Sequence, residues 1–475
     1  MPKPLHFNAF VMNTTSHIHH GQWRRPDAGQ TEFNDVDTWI GLAKTLEAAK
    51  FDAMFFADVS GLYGDPEADF DVYAREGLQI PSNDPTVLLA ALAVHTQHIG
   101  LATTSNVVQN HPFNFARQMS TLDHISRGRI AWNIVTGINE NASRNYGLPA
   151  LTDHTERYAW ADEYVDIVYK LWEGSWDEGA LLKDKEGGRF SDPSKIHKIF
   201  HQSARYRVEG PHLPAPSPQR TPVLFQAGSS TSGREFAARN AEAAFIIAPT
   251  REVAGQIVTD TRRRAATHGR LPEDIKFFAG LSFIIGETEA EAKAKEAEYD
   301  RYVSVEGYLA HMAILDRTGR VYPPKTPLSE VDTNTSKGFT EWLSKAITDR
   351  EPLIEDLAWL QARNSRIVGT PEQIADELEL WRDAGVDGIN VINWVIPGSF
   401  EEFGEKVMPV LRERGLAQSE YAEGPLRQKL FGSPLLNDRH PAAAYRGAFA
   451  NGPASWEEAG AAAPATEDSA EQATV

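Results

Sequence analysis

The sequence predicts an α/β protein folded as a (β/α)8 TIM barrel with long insertions. Two observations carry this. Eight short apolar runs recur along the chain, and most are followed by a segment with helical spacing. Continuous apolar runs are typical of parallel strands buried on both faces, and their alternation with helices gives βα units. Eight such units make a barrel. A doubly wound sheet is the other fold that the alternation fits.

In order, "LHFNAF" (5–10) reads as a strand and "TWIGLAKTLEAAKF" (38–51) as a helix. "DAMFFAD" (52–58) is a strand, followed by "DPTVLLAALAVHTQH" (84–98), a helix with Asp84 as its N-cap. "IGLATTSN" (99–106) is a strand, "FNFARQMSTLDHIS" (113–126) a helix and "RIAWNIVT" (129–136) a strand. "HTERYAWADEYVDIVYKLWEG" (154–174) has apolar residues at the spacing of a long amphipathic helix. "TPVLFQAG" (221–228), "AAFIIA" (243–248), "IKFFAGLSFIIG" (275–286) and "DGINVINW" (387–394) complete the strands, with helices such as "REFAARNAE" and "PEQIADELELWRDAG" between them.

Two connections exceed what a minimal barrel needs, at about 175–220 and 303–365. Long insertions in compact domains are usually lids or binding loops. The barrel is therefore expected over 1–430 and a C-terminal extension over 431–450. The Ala/Glu/Pro-rich end, 451–475, has almost no core-forming residues and is expected to be disordered.

Composition removes several function classes. The 475 residues carry 47 basic and 66 acidic side chains, a net charge of −19. That argues against nucleic acid or an anionic membrane as a partner. With no cysteine, disulfides, thiolate metal sites and cysteine nucleophiles are excluded. No run approaches the ~20 apolar residues of a membrane span, and "MPKPLHFNAF" lacks the apolar core of a signal peptide, so a cytoplasmic protein is expected.

In a barrel, chemistry gathers just after the C-terminal ends of the strands. There the sequence offers Asn13, His17, His19 and His20; Asp58, Tyr63 and Gln79; Thr104, Ser105 and Asn106; Asn133 and Thr136; and "QAGSSTSGREF". The last is a strand running through a Gly/Ser turn into a helix, a shape that aims N–H groups and hydroxyls at a phosphate. It is neither a Walker loop nor G-x-G-x-x-G, and an ordinary βα turn with a Ser N-cap fits it as well. His17, His19 and His20 lie too irregularly, among Gly21 and Pro26 and with no carboxylate before Asp27, to favour a metal site. Pocket-lining is the preferred reading and solvated or packed loop histidines the next. His154 and Tyr158 share a helical face, and His311 stands alone in "EGYLAHMAIL".

Several longer segments carry a resemblance: "HFNAFVMNTTSHIHHGQWRRP", "FDAMFFADVSGLY", "NDPTVLLAALAVHTQHIGLATTSN", "MSTLDHISRGRIAWNIVTG", "HTERYAWADEYVDIVYKLWEGSW", "SPQRTPVLFQAGSSTSGREFAA" and "DGINVINWVIPGSFEEF". They resemble the flavin-dependent monooxygenases of the bacterial luciferase superfamily. The closer likeness is to the branch of the nitrilotriacetate, dibenzothiophene-sulfone, dimethylsulfide and long-chain alkane monooxygenases. The resemblance implies a luciferase-type barrel that binds FMN without covalent attachment. A separate NADH-dependent flavin reductase would supply FMNH2. Addition of O2 at the flavin C4a would give a (hydro)peroxyflavin that oxygenates a small organic substrate, within a homodimer or homotetramer. The insertion at 303–365 would be the lid.

Position by position, the resemblance implies Asp58, Thr104 and Asn106 near the isoalloxazine; Val135, Thr136 and His154 lining the flavin site; and Tyr158, Ser229 and Ser230 on the phosphate. It implies His17, Tyr63, Gln79 and His311 as catalytic groups on the substrate side. Thr14 stands where close members carry Cys, and Ile138 where the alkane type carries His; both are expected in the substrate pocket. These departures make a sulfide, sulfone, amine or heteroaromatic substrate at least as well supported as a long-chain alkane. Two other function classes stay open on the sequence: a non-catalytic flavin-binding barrel, and a metal-dependent barrel hydrolase using the histidine run.

Overall fold

The computed structural model describes residues 3–63, 70–228, 230–314, 320–331, 347, 350–453 and 455–462. Eight parallel strands form the centre: β1 His6–Met12, β2 Ala53–Ala57, β3 Gly100–Asn106, β4 Ile130–Val135, β5 Val223–Ala227, β6 Ala243–Ile246, β7 Lys276–Ile285 and β8 Gly388–Ile392. They pair in chain order, and β8 closes on β1, as in the register His6 with Gly388. The (β/α)8 barrel is therefore closed, and each strand coincides with a predicted apolar run.

Two layers of core explain the runs. Inside the barrel, Phe10, Phe55, Phe225, Phe245 and Phe278 pack with the small Ala102, Ala131 and Ala243. Large rings opposite small residues fill a tapering interior. Ring centroids lie 4.8 Å apart for Phe10 and Phe245 and 5.2 Å for Phe55 and Phe225. The alternate side chains, such as Phe7, Met54, Leu101 and Trp132, face the helices. Asp84 caps the helix Pro85–His95 by accepting from Thr86 N, as predicted.

Three features were not read from the sequence. Strand β7 outruns its barrel neighbours, and its end, Ser282–Ile285, pairs with a short strand, Arg366–Gly369. The helix His154–Tyr169 continues into a wider π-helical turn, Lys170–Gly174. The helix Leu426–Phe431 plugs the N-terminal end of the barrel. Its Leu426 and Leu430 join the interior core, and a Cβ on Gly100 would fall 2.7 Å from Leu426 Cδ1. Arg427, fully buried, donates to Glu242 Oε1 at 2.7 Å and to the carbonyls of Gln219, Thr221 and Pro222.

The first long connection holds two small hairpins, Leu181–Asp184 with Arg189–Ser191 and His201–Gln202 with Arg207–Val208. The second holds the helices Val305–His311 and Ile354–Arg363, which share a separate small core. Of the expected tail, a helix Trp456–Ala462 is described, with the Trp456 ring edge-on to Phe200; residues 463–475 lie outside the described residues. No helix among the described residues is long and apolar enough to cross a membrane.

Candidate active site

At the C-terminal ends of β2 to β5 the barrel opens into a cavity of about 230 Å3. Each strand contributes. Asp58 and Ser60 follow β2, Thr104 and Asn106 end β3, Val135 to Asn139 end and follow β4, and Gln226 and Ala227 end β5. Tyr158 reaches the same cavity from the helix His154–Tyr169.

The floor is a fixed polar network. Thr104 Oγ1 donates to the Phe56 carbonyl at 2.8 Å and accepts from Asn133 Nδ2 at 2.9 Å. Gln109 Oε1 accepts from Asn106 N at 2.7 Å and from Ser105 Oγ at 3.0 Å. Gln109 also hydrogen-bonds Asp58. Burial, with Asp84 adding repulsion, raises the Asp58 pKa to about 7, so its carboxyl can give or take a proton near neutrality. Gly137 (φ +76°) lets the chain pass over Asn106, since a Cβ there would fall 2.3 Å from Asn106 Nδ2.

The other end of the cavity meets a helix N-terminus. Ser230 caps the helix Thr231–Asn240, its side chain accepting from Gly233 N. A Cβ on Gly233 would lie 2.8 Å from the Tyr158 hydroxyl and 3.0 Å from Gly228 Cα. The two glycines thus bring Tyr158, the turn and the first N–H groups of the helix together. Such a terminus attracts anions. Ser229 lies outside the described residues. His154 is exposed at the helix start, its ring 5.2 Å from that of Tyr158, and it does not line the cavity.

These surfaces fit an isoalloxazine ring bearing a phosphorylated side chain. Gln226 Oε1 is buried without a hydrogen-bond partner among the described residues, an acceptor open to a donor in the cavity. The Tyr158 end supplies the donors that a phosphate needs.

A second cluster gathers beside β1. Gln79 holds it. Its Oε1 accepts from Tyr63 OH at 3.0 Å, and its Nε2 donates to the His17 carbonyl at 3.1 Å. Its backbone is left-handed (φ 52°), and its N–H donates to the Ser16 carbonyl at 3.1 Å. Tyr63 stands edge-on to His311, ring centroids 4.9 Å apart. His17 packs on Phe10 at 4.7 Å, on top of the barrel interior, with its Nδ1 buried and without a partner among the described residues. Burial lowers the pKa of His17, with help from His311, to about 3, and that of His311 to about 4. Both rings are neutral at pH 7. Burial also raises the Tyr63 pKa, so the phenol keeps its proton.

Thr14 is buried, and its hydroxyl donates to the Pro81 carbonyl at 2.7 Å. It lines a small void with His17 and Trp394, apart from the main cavity. Ile138, 67% exposed, lines the main cavity. The three clustered histidines diverge. His19 stacks on Trp394 at 3.6 Å, while His20 bonds Ser16 and His311. Among the described residues no group of three or more His, Asp or Glu is arranged to hold a metal ion.

Sequence reasoning missed Gln109 and Gln226, and it offered His20 without its partner His311. Gln226 stood in plain view at the end of β5. Gln109 lies three residues past β3, where only the turn geometry reveals it.

The chain matches the model of the luciferase-like monooxygenase family over residues 12–388. It is 42% identical to the long-chain alkane monooxygenase of Geobacillus thermodenitrificans (strain NG80-2), over 95% of this chain and 100% of that one. It is 40% identical to the dimethyl-sulfide monooxygenase of Hyphomicrobium sulfonivorans, over 94% and 95%. A solved structure of a riboflavin lyase with modified FMN and riboflavin superposes with a TM-score of 0.85 at 38% identity, covering 94% of this chain and 100% of that chain.

Proposed function

Because the chain belongs to the luciferase-like monooxygenase family, we propose that it is the oxygenating component of a two-component system. It uses FMNH2 from a separate NADH-dependent reductase, and O2, to oxygenate a small organic substrate. The observation that carries this reading is the continuity of one cavity. It runs from the buried acceptors of β2 to β5 to the Tyr158 hydroxyl at a helix N-terminus.

Reduced flavin, when bound, supplies the activation of O2 and the transfer of one oxygen atom. The protein does the rest. Asp58, Thr104, Asn106 and Gln226 would hold the polar edge of the ring, with Val135 and Thr136 against it. Tyr158, Ser229 and Ser230, with His154 nearby, would hold the phosphate on the helix N-terminus. His17, Tyr63, Gln79 and His311 would meet the reacting oxygen. With its phenol protonated and its histidines neutral, this cluster acts through hydrogen bonds and adds no charge. The insertion at 303–365 would cover the mouth and exclude water from the reaction; its residues 315–319, 332–346 and 348–349 lie outside the described residues.

A sulfide, sulfone, amine or heteroaromatic is at least as well supported a substrate as a long-chain alkane. Ile138 makes the outer lip of the cavity apolar, and the hydroxyl of Thr14 is already committed to Pro81. We also propose a homodimer or homotetramer in the cytoplasm. The test is turnover of a substrate panel with a flavin reductase, FMN, NADH and O2, followed by mass spectrometry. A product 16 mass units heavier than its substrate is expected. Return of all consumed oxygen as peroxide, with every substrate, would instead favour a non-catalytic flavin-binding barrel.

A further inference from the structure

The insertion that carries His311 seats on the barrel at His20. The His20 carbonyl accepts from Ser304 N at 3.1 Å, and its ring stands edge-on to Tyr308 (4.9 Å) and His311 (4.8 Å). Gly21 (φ +90°) permits this approach, because a Cβ there would fall 2.1 Å from the Tyr302 carbonyl oxygen. His20 is fully buried.

Both of its ring nitrogens are engaged. Nδ1 lies 2.8 Å from Ser16 Oγ, and Nε2 lies 2.7 Å from His311 Nδ1. Burial lowers the pKa of both histidines, so at pH 7 the chain Ser16–His20–His311 is neutral and can differ only in the direction of its protons. If Ser16 donates to His20 Nδ1, His20 donates from Nε2 to His311 Nδ1, and His311 carries its proton on Nε2. If the direction reverses, His20 donates to Ser16, and the serine proton has no acceptor. Ser16 Oγ has no other partner among the described residues. A buried O–H left without an acceptor is costly, whereas an unused hydroxyl lone pair costs less. The first direction wins. Nε2 of His311 has no hydrogen-bond partner among the described residues, so its proton is free for a ligand.

We propose that His20, oriented by Ser16, is a positioning residue that holds His311 in its Nε2–H tautomer, so that His311 offers a hydrogen-bond donor rather than a base. The tautomer assignment stands on the hydrogen-bond geometry and the burial of the two rings. Its consequence for turnover rests on the monooxygenase reading.

The experiment is long-range 1H–15N NMR of protein labelled at histidine nitrogen, with His311 assigned from a His311→Gln variant. Wild-type protein at pH 7 is expected to show His311 as the Nε2–H form. Ser16→Ala, which keeps every docking contact of the insertion, is expected to give His311 as a mixture of tautomers, and so is His20→Leu. An Nδ1–H form in the wild type, or a pattern unmoved in both variants, overturns the proposal. In reductase-coupled turnover, His20→Leu is expected to lower the fraction of reduced flavin converted to product by about tenfold, with KM changed less than about twofold. In a His311→Gln background the same substitution should add less than about twofold, because it acts through His311. Effects that multiply independently would make His20 a docking residue only. If the wild type oxygenates nothing, the functional reading fails, while the NMR result still decides the tautomer.

Discussion

Gly233→Ala tests how this cavity grips its ligand. In an exposed helix the change would help, since alanine is favoured over glycine by about 1 kcal/mol. Here the added Cβ falls 2.8 Å from the Tyr158 hydroxyl and 3.0 Å from Gly228 Cα. Carbon contacts settle near 3.5–4.0 Å, so Tyr158 or the turn must yield by about half an ångström or more. Either movement spoils the group that would hold the phosphate. Hydrogen bonds to charged groups contribute about 1.5–3 kcal/mol each. Losing one weakens binding by roughly ten- to a hundredfold at 1.4 kcal/mol per tenfold. The assay is anaerobic titration with reduced FMN and, in parallel, reduced riboflavin, which has the same ring and no phosphate. The variant should lose affinity for FMN by that factor, lose much less for riboflavin, and unfold within a few degrees of the wild type. Equal losses for both ligands, or an unchanged FMN affinity, would refute a phosphate site at Tyr158 and the helix N-terminus.

Three other outcomes follow from the structure. Arg427→Met should destabilise the fold by about 3–5 kcal/mol in urea titrations, because it leaves Glu242 buried without its cation; a loss below about 1 kcal/mol would contradict the plug at the barrel's N-terminal end. Acid should also destabilise the protein. Six histidines, His19, His20, His212 and His440 buried and His17 and His311 partly buried, have lowered pKa values, so the unfolded chain binds more protons once the pH falls below about 6.5. Stability should drop from there toward pH 4, opposed by Asp58, Asp123 and Asp162, whose carboxyls burial raises, so that their neutral forms favour the folded state as pH falls. A urea midpoint that is flat between pH 7 and 5 would contradict this. Ile138→Ala, at an exposed position, should change stability by less than about 0.5 kcal/mol. It should raise KM for an apolar substrate by about fivefold, from the methylene groups lost at the lip of the cavity; an unmoved KM would take Ile138 out of the substrate site.

The barrel was legible because its signal is redundant. Each strand is a run of residues buried on both faces, as in β3, where all seven are buried. The strand Arg366–Gly369 escaped because it is four residues long and half-exposed, pairing only with the overhang of β7. The plug Leu426–Phe431 escaped because "LRQKLF" gives no hint that Arg427 is buried; its partner Glu242 is 185 positions away. At the site, residues at strand ends were readable from position: Asp58, Thr104, Asn106 and Thr136 line one cavity, where Val135 and Tyr158, implied by the resemblance, join them. The histidine run was only half readable. His17 meets the barrel interior, but the partner of His20 is His311, 291 residues later in an insertion. No local spacing encodes that pairing.

In the proposed reaction one atom of O2 is delivered to an organic substrate, with reduced FMN bound at the mouth of this barrel. This delivery is tested most directly by turnover under 18O2 in the reductase-coupled system, with the product read by mass spectrometry. One 18O atom is expected in each product molecule, and no product when the reductase or FMN is omitted. Oxygen derived from water, or product formed without flavin, would contradict it.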